Sequence, residues 1–295
     1  MTTLLPGRAL GIGWRPEICG VIAGLPGLGF CEVIAETVAH GVPAELAALR
    51  DRGVPVVPHG VSLSLGGAEP VSPERVAHLA RSARALNAPL VSEHVSFVRT
   101  NGMEAGHLLP VPRTRAALDA LAANIARTTA ELPVPLAMEN ITSHFDWPED
   151  EFAESEFLAE LVERTGVYLL LDIANVYANA RNRGRDPRTE LRRLPAERIA
   201  YCHIAGGHEV DGRYHDTHTA AVPEAVLELV GEFAADRDVP LMLERDGNYP
   251  PAAELLAELD AIADVAGRER ITGGSEPSRE AAAPVVGLHG TGARR

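Results

Sequence analysis

The stretch VYLLLDIAN, residues 167–175, is a short apolar run that closes on an aspartate and an asparagine. Its VYLLL part has no polar alternation, which is typical of a parallel strand buried on both faces. Seven similar runs occur along the chain: ALGIGW (9–14), FCEVIAE (30–36), VPVVPHGV (54–61), APLVSEHVSF (88–97), VPLAMEN (134–140), RIAYCHIAG (198–206) and VPLMLERD (239–246). The sequence therefore predicts eight parallel strands.

Amphipathic segments with the 3.6-residue period of a helix separate most of these runs. They cover residues 43–52, 72–86, 114–132, 156–166, 187–194, 222–237 and 252–267. Strands that alternate with helices in this number predict an α/β fold, a (β/α)8 TIM barrel, as a single metal-binding domain over residues 1–267. An open doubly wound sheet is the alternative, but no glycine-rich dinucleotide loop follows the first run. Residues 268–295 lose the periodicity and gain Gly, Pro and Ser, which predicts a disordered C-terminal tail.

Composition restricts the classes of protein that need considering. The net charge of −14 over 295 residues argues against a general nucleic-acid or anionic-membrane binder. The three cysteines, Cys19, Cys31 and Cys202, form no CxxC pair, which is typical of free thiols in the cytoplasm. The chain contains no stretch of eighteen apolar residues and no signal-peptide pattern. We expect a cytoplasmic globular protein with no membrane segment.

Ionisable and amide side chains stand at the carboxyl ends of the predicted strands, where barrel enzymes keep their chemistry. Each one alone has an ordinary structural explanation, such as a hydrogen-bonded histidine or a helix N-cap. Together, the carboxylates would repel one another, because strands three to seven carry no Lys or Arg at their carboxyl ends and only Arg245 adjoins Glu244. A bound cation removes that repulsion, so we expect these residues to be metal ligands: His59, His94, Glu139, Asp172, Asn175, His203, Asp216, His218 and Glu244.

Nine donors exceed the six that one octahedral ion accepts, so the sequence predicts two or three ions with a bridging carboxylate. Imidazole and carboxylate without thiolate suit iron, manganese or zinc, and the residues alone do not choose among them. Strand alternation points Cys202 away from this rim. Residues near the ligands are expected to support them or the substrate: Glu93 as a partner of an imidazole or of an ion pair, Asn140 as a donor to substrate, and Glu36 as a supporting or merely structural group.

Nine short motifs carry a resemblance to a known family. In chain order they are GIGWRPE (11–17), EVIAE (32–36), HGVSLSLG (59–66), SEHVSF (92–97), MEN (138–140), LLLDIANVY (169–177), HIAGGH (203–208), DTH (216–218) and LERD (243–246). With them the chain resembles the multinuclear non-heme iron-dependent oxidases, the family of the methanobactin biosynthesis iron enzyme. The resemblance implies a TIM barrel of the xylose-isomerase-like and endonuclease-IV-like superfamily, holding two or three irons in mixed Fe2+/Fe3+ valence. It also implies O2 as co-substrate and a residue, cysteine first of all, of a ribosomally synthesised precursor peptide as target, with a leader-peptide-binding protein as possible partner.

The ligand spacing also resembles that of trinuclear zinc endonucleases, which implies an allocation of donors. His59, His94 and Glu139 would hold one ion, and Glu139 would bridge to a second ion held by Asp172, His203 and Glu244. The third ion would take Asn175, Asp216 and His218, and we expect it to be the most labile, because an amide oxygen is a weak donor. HIAGGH has one glycine more than the family's usual motif, which displaces His208 and leaves its role near the site or the substrate open. A metal-dependent phosphodiesterase, a sugar isomerase and a non-catalytic metal-binding module remain alternative functions.

Overall fold

The computed structural model describes residues 4–273. Eight parallel strands close into a barrel, in which each strand pairs with the barrel strands before and after it in the chain. The barrel strands are β1 (Leu10–Trp14), β2 (Phe30–Ile34), β3 (Val56–His59), β4 (Val91–His94), β7 (Leu136–Glu139), β8 (Tyr168–Asp172), β9 (Ile199–Ile204) and β12 (Leu241–Leu243). Each lies inside one of the eight apolar runs, so the TIM barrel expected from the sequence is confirmed.

Helices surround the barrel and connect successive strands. They are α1 (Cys19–Ala23), α2 (Ala44–Asp51), α3 (Pro73–Leu86), α4 (Arg115–Glu131), α5 (Glu154–Thr165), α6 (Ile173–Asn182), α7 (Pro187–Arg193), α8 (Glu224–Ala234) and α9 (Ala252–Val265). Local sequence accounts for several of their ends: Thr114 caps α4 by accepting a 3.1 Å hydrogen bond from Ala117 N, and Asn87 ends α3 in the left-handed conformation, with φ of 49°. None of the described helices combines the length and apolarity needed to cross a membrane.

Alternation along the strands divides the apolar core into two layers. Side chains such as Val33, Met138 and Leu171 pack outward against the helices, together with Cys202 as expected. The opposite set fills the inside of the barrel: Phe30, Val57, Leu90, Ala137, Leu170, Tyr201 and Met242. We call this inner set the barrel floor, and the floor determines where the polar side chains of the same strands lie.

Strand β1 contributes glycine to the interior. A Cβ atom on Gly11 would lie 2.7 Å from the ring of Phe30, so the absence of a side chain there makes room for the phenylalanine. Large and small residues on adjacent strands thus complement each other in filling the floor.

Three features depart from the expected elements. Residues 207–221, which follow the seventh predicted strand and carry no predicted element, contain a hairpin of β10 (His208–Val210) and β11 (Arg213–His215). A second hairpin, β5 (Ser96–Thr100) and β6 (Met103–Pro110), follows β4, and α6 begins directly after Asp172. Both hairpins follow the carboxyl ends of barrel strands, so they stand on the face that carries the ionisable residues.

The expected tail begins at residue 268, but its first residues pack on the barrel. Ile271 is buried, and its carbonyl accepts a 3.2 Å hydrogen bond from Gly27 N. The packed region thus continues beyond residue 267, and residues 274–295 lie outside the described residues.

Candidate metal centre

Five of the six expected ligands on or directly after barrel strands stand two residues after a floor residue. Because the side-chain period of a strand is two, both point into the barrel, and the ligand lies nearer its carboxyl end. The pairs are Val57 and His59, Ala137 and Glu139, Leu170 and Asp172, Tyr201 and His203, Met242 and Glu244, with His94 four residues after Leu90. All six ligand candidates are buried. The floor therefore ends where a polar layer begins.

A first group is formed by His59, His94 and Glu139. The two Nε2 atoms lie 3.2 Å apart, and Glu139 Oε2 lies 3.4 Å from His59 Nε2 and 3.3 Å from His94 Nε2. Donors bound to one tetrahedral ion at zinc-like distances are separated by about 3.3 Å. This nearly equilateral triangle thus has the dimensions of one face of such a coordination shell.

A second group shares Glu139 with the first. His203 Nδ1 lies 3.3 Å from Glu139 Oε1 and 2.8 Å from Glu244 Oε2, and Asp172 completes the set. Glu139 directs Oε2 to the first group and Oε1 to the second, which is the arrangement of a carboxylate that bridges two ions.

A third group shares Asp172 with the second and adds Asp216 and His218 from the segment after β11. His218 Nε2 lies 2.6 Å from Asp216 Oδ2 and 3.8 Å from Asp172 Oδ2. Asp172 also caps α6, since its Oδ1 accepts a 2.8 Å hydrogen bond from Asn175 N. The N-cap explanation and the metal-ligand explanation of Asp172 are therefore compatible, because one oxygen is available for each.

In each of these histidines, the ring nitrogen that faces away from the group lies close to a polar partner. His59 Nδ1 lies 2.8 Å from Ser92 Oγ, and His203 Nε2 lies 3.0 Å from Glu32 Oε2. His94 Nδ1 is within 3.2 Å of both Gly60 O and Glu93 Oε1, and His218 Nδ1 is 3.0 Å from Asp246 Oδ2. Such partners fix the ring orientation and leave the other nitrogen free for a metal.

Without a bound cation, protons on the histidines and on Asp172 offset the negative charge of the clustered carboxylates. Burial lowers the pKa of His203, but Glu244 and Glu32 outweigh it and raise that pKa well above its usual value. Burial also lowers the pKa of His218, but the charges of Glu244 and Asp216 outweigh it and raise that pKa well above its usual value. Burial and the charge of Asp216 raise the pKa of Asp172 well above its usual range. A cation that binds here would replace protons.

Several buried polar atoms that face the groups have no hydrogen-bond partner among the described residues. They are Glu139 Oε2, Asp172 Oδ2, His203 Nδ1, Asp216 Oδ1 and Glu244 Oε2. His203 Nδ1 and Glu244 Oε2 approach within 2.8 Å, yet their orientation is not that of a hydrogen bond. Buried polar atoms are normally paired, and five converging orphans of metal-ligand type fit bound cations.

One cationic side chain reaches this rim, contrary to the expected absence of compensation. Arg15 lies 2.5 Å from Asp246 Oδ1 and 3.4 Å from Glu244 Oε1. Arg245, the arginine considered from the sequence, instead pairs with Glu258 at 2.6 Å. Strand alternation explains the difference, because Arg245 follows the inward Glu244 and so points outward.

The structure also places four further expected residues around the groups or at the surface. The Asn175 amide donates to Asn140 O at 3.0 Å, and its Oδ1 accepts from Thr142. Asn140 joins two strands, because its amide exchanges hydrogen bonds of 3.0 and 2.9 Å with the backbone of Asp172. Glu36 follows β2 in a 3-10 turn, with Oε2 buried, and His208 is exposed on the β10–β11 hairpin. The extra glycine in HIAGGH thus coincides with a histidine outside the three groups.

The sequence analysis missed several polar residues of the centre. Glu32 and Tyr201 lie inside apolar strands, and Ser92 precedes His94 by two positions. The signal for Glu32 is available in the sequence: a carboxylate within FCEVI, two residues after Phe30, is on the inward face of a strand. Asp246, which forms a further group with His218 and Glu244, follows Glu244 by two positions in LERD.

Fold and site together define a TIM-barrel protein with a buried centre that could hold several metal ions. The chain belongs to the family described as RiPP precursor modification enzyme MbnB/TglH/ChrH, whose model matches residues 9–267. This match confirms the family resemblance seen in the motifs.

Curated relatives carry the name UPF0276 protein. One from Streptomyces avermitilis is 52% identical over 261 residues, which cover 85% of this chain and 54% of that protein. One from Caulobacter vibrioides is 40% identical over 265 residues, covering 88% of this chain and 94% of the relative. The chain thus spans about half the length of the Streptomyces relative.

Solved structures with similar folds include an endonuclease and a sugar epimerase. Endonuclease IV from Thermus thermophilus has a TM-score of 0.55 at 19% identity, with 87% of this chain and 99% of that chain covered. D-psicose 3-epimerase from Clostridium cellulolyticum has a TM-score of 0.54 at 12% identity, with 88% and 95% covered. At these identities the likeness supports the fold alone.

Proposed function

We propose that this protein is a multinuclear iron-dependent, O2-using oxidase that modifies a residue of a ribosomally synthesised precursor peptide. Cysteine is the residue that we expect as its target. The family match to RiPP precursor modification enzymes supports the peptide substrate. Imidazole and carboxylate donors without thiolate suit iron. The three free cysteines fit a reducing cytoplasmic setting.

The single observation that carries the proposal is the sharing of carboxylates between adjacent groups. Glu139 belongs to the first and second groups, and Asp172 belongs to the second and third. Residues shared in this way would hold two or three ions as neighbours that could act on one substrate. Iron in mixed Fe2+/Fe3+ valence would supply the one-electron steps and the O2 activation that oxidation of a thiol side chain requires.

Burial indicates the side from which a substrate reaches the centre. The side chains of His59, His94 and Glu139 are at most 8% exposed, whereas His218 is 17% and Asp246 is 41% exposed. We infer that a peptide approaches across the third group, past Asp246. There Arg15 is already bound to Asp246 and Glu244, which disfavours a phosphate-binding role for this rim.

The test is to purify the protein anaerobically and to measure bound metal, O2 uptake and the mass of a precursor peptide encoded by a neighbouring gene. We expect two or three irons per chain, O2 consumption that requires the peptide, and a mass change in the peptide. A leader-binding protein from the same gene neighbourhood is included in one set of reactions and omitted from another. Zinc-dependent DNA nicking without O2 uptake would instead support a phosphodiesterase, and a metal-bound protein inert in both assays would support a binding module.

A further inference from the structure

A buried chain of hydrogen bonds lies between the barrel floor and the metal groups. It runs from His59 Nδ1 to Ser92 Oγ at 2.8 Å, and from Ser92 Oγ to the Tyr201 hydroxyl at 2.8 Å. The Tyr201 hydroxyl donates to Glu32 Oε2, which is also 3.0 Å from His203 Nε2. We call these five residues the Tyr201 chain, and each is at most 2% exposed.

The number of hydrogens available for donation allows only one donor-to-acceptor direction along the Tyr201 chain. Tyr201 has a single hydroxyl hydrogen, and the carboxylate of Glu32 is its strongest acceptor. Ser92 must then donate to the Tyr201 oxygen, and its own oxygen is left to accept from His59.

That direction selects the nitrogen that each histidine presents to its group. Since Ser92 can only accept, His59 carries its hydrogen on Nδ1, and the lone pair of Nε2 faces His94 and Glu139. At the other end, Glu32 takes the Nε2 hydrogen of His203, and Nδ1 of this ring faces Glu139 and Glu244. One carboxylate therefore orients ligands of both the first and the second groups.

We propose that Tyr201, Ser92 and Glu32 are positioning residues that fix the tautomers of His59 and His203 and so set the metal affinity of the first two groups. The proposal deepens the proposed function, because it assumes a metal centre, but it does not depend on iron, O2 or a peptide. It assigns Tyr201 a role through other residues, with no contact to metal or substrate.

Tyr201→Phe is the informative variant, because it removes one hydroxyl and keeps the ring. With the phenol gone, the Ser92 hydrogen has His59 Nδ1 as its remaining neighbour in the chain, and donation there places the His59 hydrogen on Nε2, where it blocks the first group. Loss of an outer partner of a metal-binding histidine lowers affinity by about 10- to 100-fold. We expect a loss of that size for one zinc ion per chain. Tyr168→Phe is the matched control, since Tyr168 lies outside the Tyr201 chain and packs against Arg198.

Zinc is the probe, because it is diamagnetic and has no redox chemistry. Competition with a chelator gives the zinc affinities of the wild type, Tyr201→Phe, Ser92→Ala and Tyr168→Phe proteins. Nitrogen-15 spectra of the zinc-loaded wild type should show zinc on His59 Nε2 with hydrogen on Nδ1, and zinc on His203 Nδ1 with hydrogen on Nε2. A thermal midpoint close to that of the wild type, measured without zinc, verifies that each variant is folded.

The outcomes separate the two proposals. Zinc on His59 Nδ1 in the wild type, or unchanged affinities in folded Tyr201→Phe, would overturn the role of the Tyr201 chain. The spectrum of the wild type decides the matter even if a variant fails to fold. A wild-type protein that takes up no zinc would overturn the metal centre itself and both proposals with it, whereas absent O2 uptake in a zinc-binding protein would overturn only the oxidase.

Discussion

Glu139 Oε1 lies 3.3 Å from His203 Nδ1, while the other oxygen of the same carboxylate faces two more histidines. This contact joins the first and second groups through one side chain. Glu139→Gln keeps the size of the side chain but replaces one carboxylate oxygen by an NH2 group, which donates hydrogen and does not bind a metal. We expect this variant to lose about two ions per chain, measured by elemental analysis, whereas Glu131→Gln, at the exposed end of α4, should lose none. Loss of a single ion would contradict a bridging role.

The third group should release its ion first. Its His218 and the neighbouring Asp246 are the most exposed members of the centre, and two of its three residues lie on the segment after β11 instead of on a strand. Asn175, expected to be a weak ligand there, has its amide engaged by Asn140 and Thr142. Dialysis against a chelator should remove one ion well before the others, and His218→Ala should abolish that early fraction alone. Release of all ions at one rate would refute the expectation.

Two substitutions at Asp172 should separate its roles. Asn caps a helix about as well as Asp, so Asp172→Asn should keep the stability of the metal-stripped protein while weakening metal binding in the second and third groups. Asp172→Ala should lose the cap as well, at about 1 kcal/mol, or a thermal midpoint about 2–4 °C lower. Calorimetry of both stripped variants provides the comparison. Equal midpoints for the two would show that the hydrogen bond to Asn175 N contributes nothing.

Metal removal should make stability depend on pH in the alkaline range. Burial lowers the pKa of His94, but Glu139 and Glu93 outweigh it and raise this pKa to about 9. A folded-state pKa above the ordinary value of 6.5 gives stability that is complete below pH 6.5 and lost as pH rises through 9. The loss is at most about 3 kcal/mol. Denaturant unfolding of stripped protein should show this decline, and zinc-loaded protein should not, since the metal replaces the proton.

Two variants supply controls for the pH experiment. His94→Gln, in stripped protein, should reduce the decline, and His107→Gln, on the exposed part of β6, should leave it intact. A decline of equal size in the zinc-loaded wild type would mean that groups outside the centre cause it.

Gly11 should tolerate no side chain. An added Cβ would lie 2.7 Å from the Phe30 ring, so Gly11→Ala should destabilise the barrel by about 1–3 kcal/mol through overpacking. Gly20→Ala is the matched control, since nothing lies within 4 Å of its added Cβ and alanine favours the helix α1 by about 0.5–1 kcal/mol. Urea unfolding measures both. A Gly11→Ala protein as stable as the wild type would contradict the packing of the floor.

The barrel and the convergence of the candidate ligands were predictable because the two patterns coincide. In LAME (136–139) and YLLLD (168–172), the ionisable residue ends an apolar run, so composition marks both the strand and the end at which its chemistry lies. Closure of the barrel then brings the carboxyl ends of all strands to one rim. Residues distant in sequence become neighbours there, although no sequence pattern links the individual pairs.

The residues that were missed lack this signal. Glu32 and Tyr201 are 169 positions apart and sit inside their strands, so that only the assembled barrel shows that they meet. The interactions of Asn175 with Thr142 and Asn140 depend on the loop after β7, whose path no local pattern specifies. The β10–β11 hairpin arises from a polar, histidine-rich segment that carries no apolar alternation.

The regular spacing of floor residue and ligand has a consequence for refolding. If any strand joined its neighbours one position out of alignment, its ligand would turn toward the helices and its helix-facing aliphatic side chain would turn toward the ions. Such a misaligned barrel would be compact yet unable to bind its full complement of metal. Metal uptake can thus be used to count the correctly aligned molecules in a refolded sample. Helix content alone would overestimate that number.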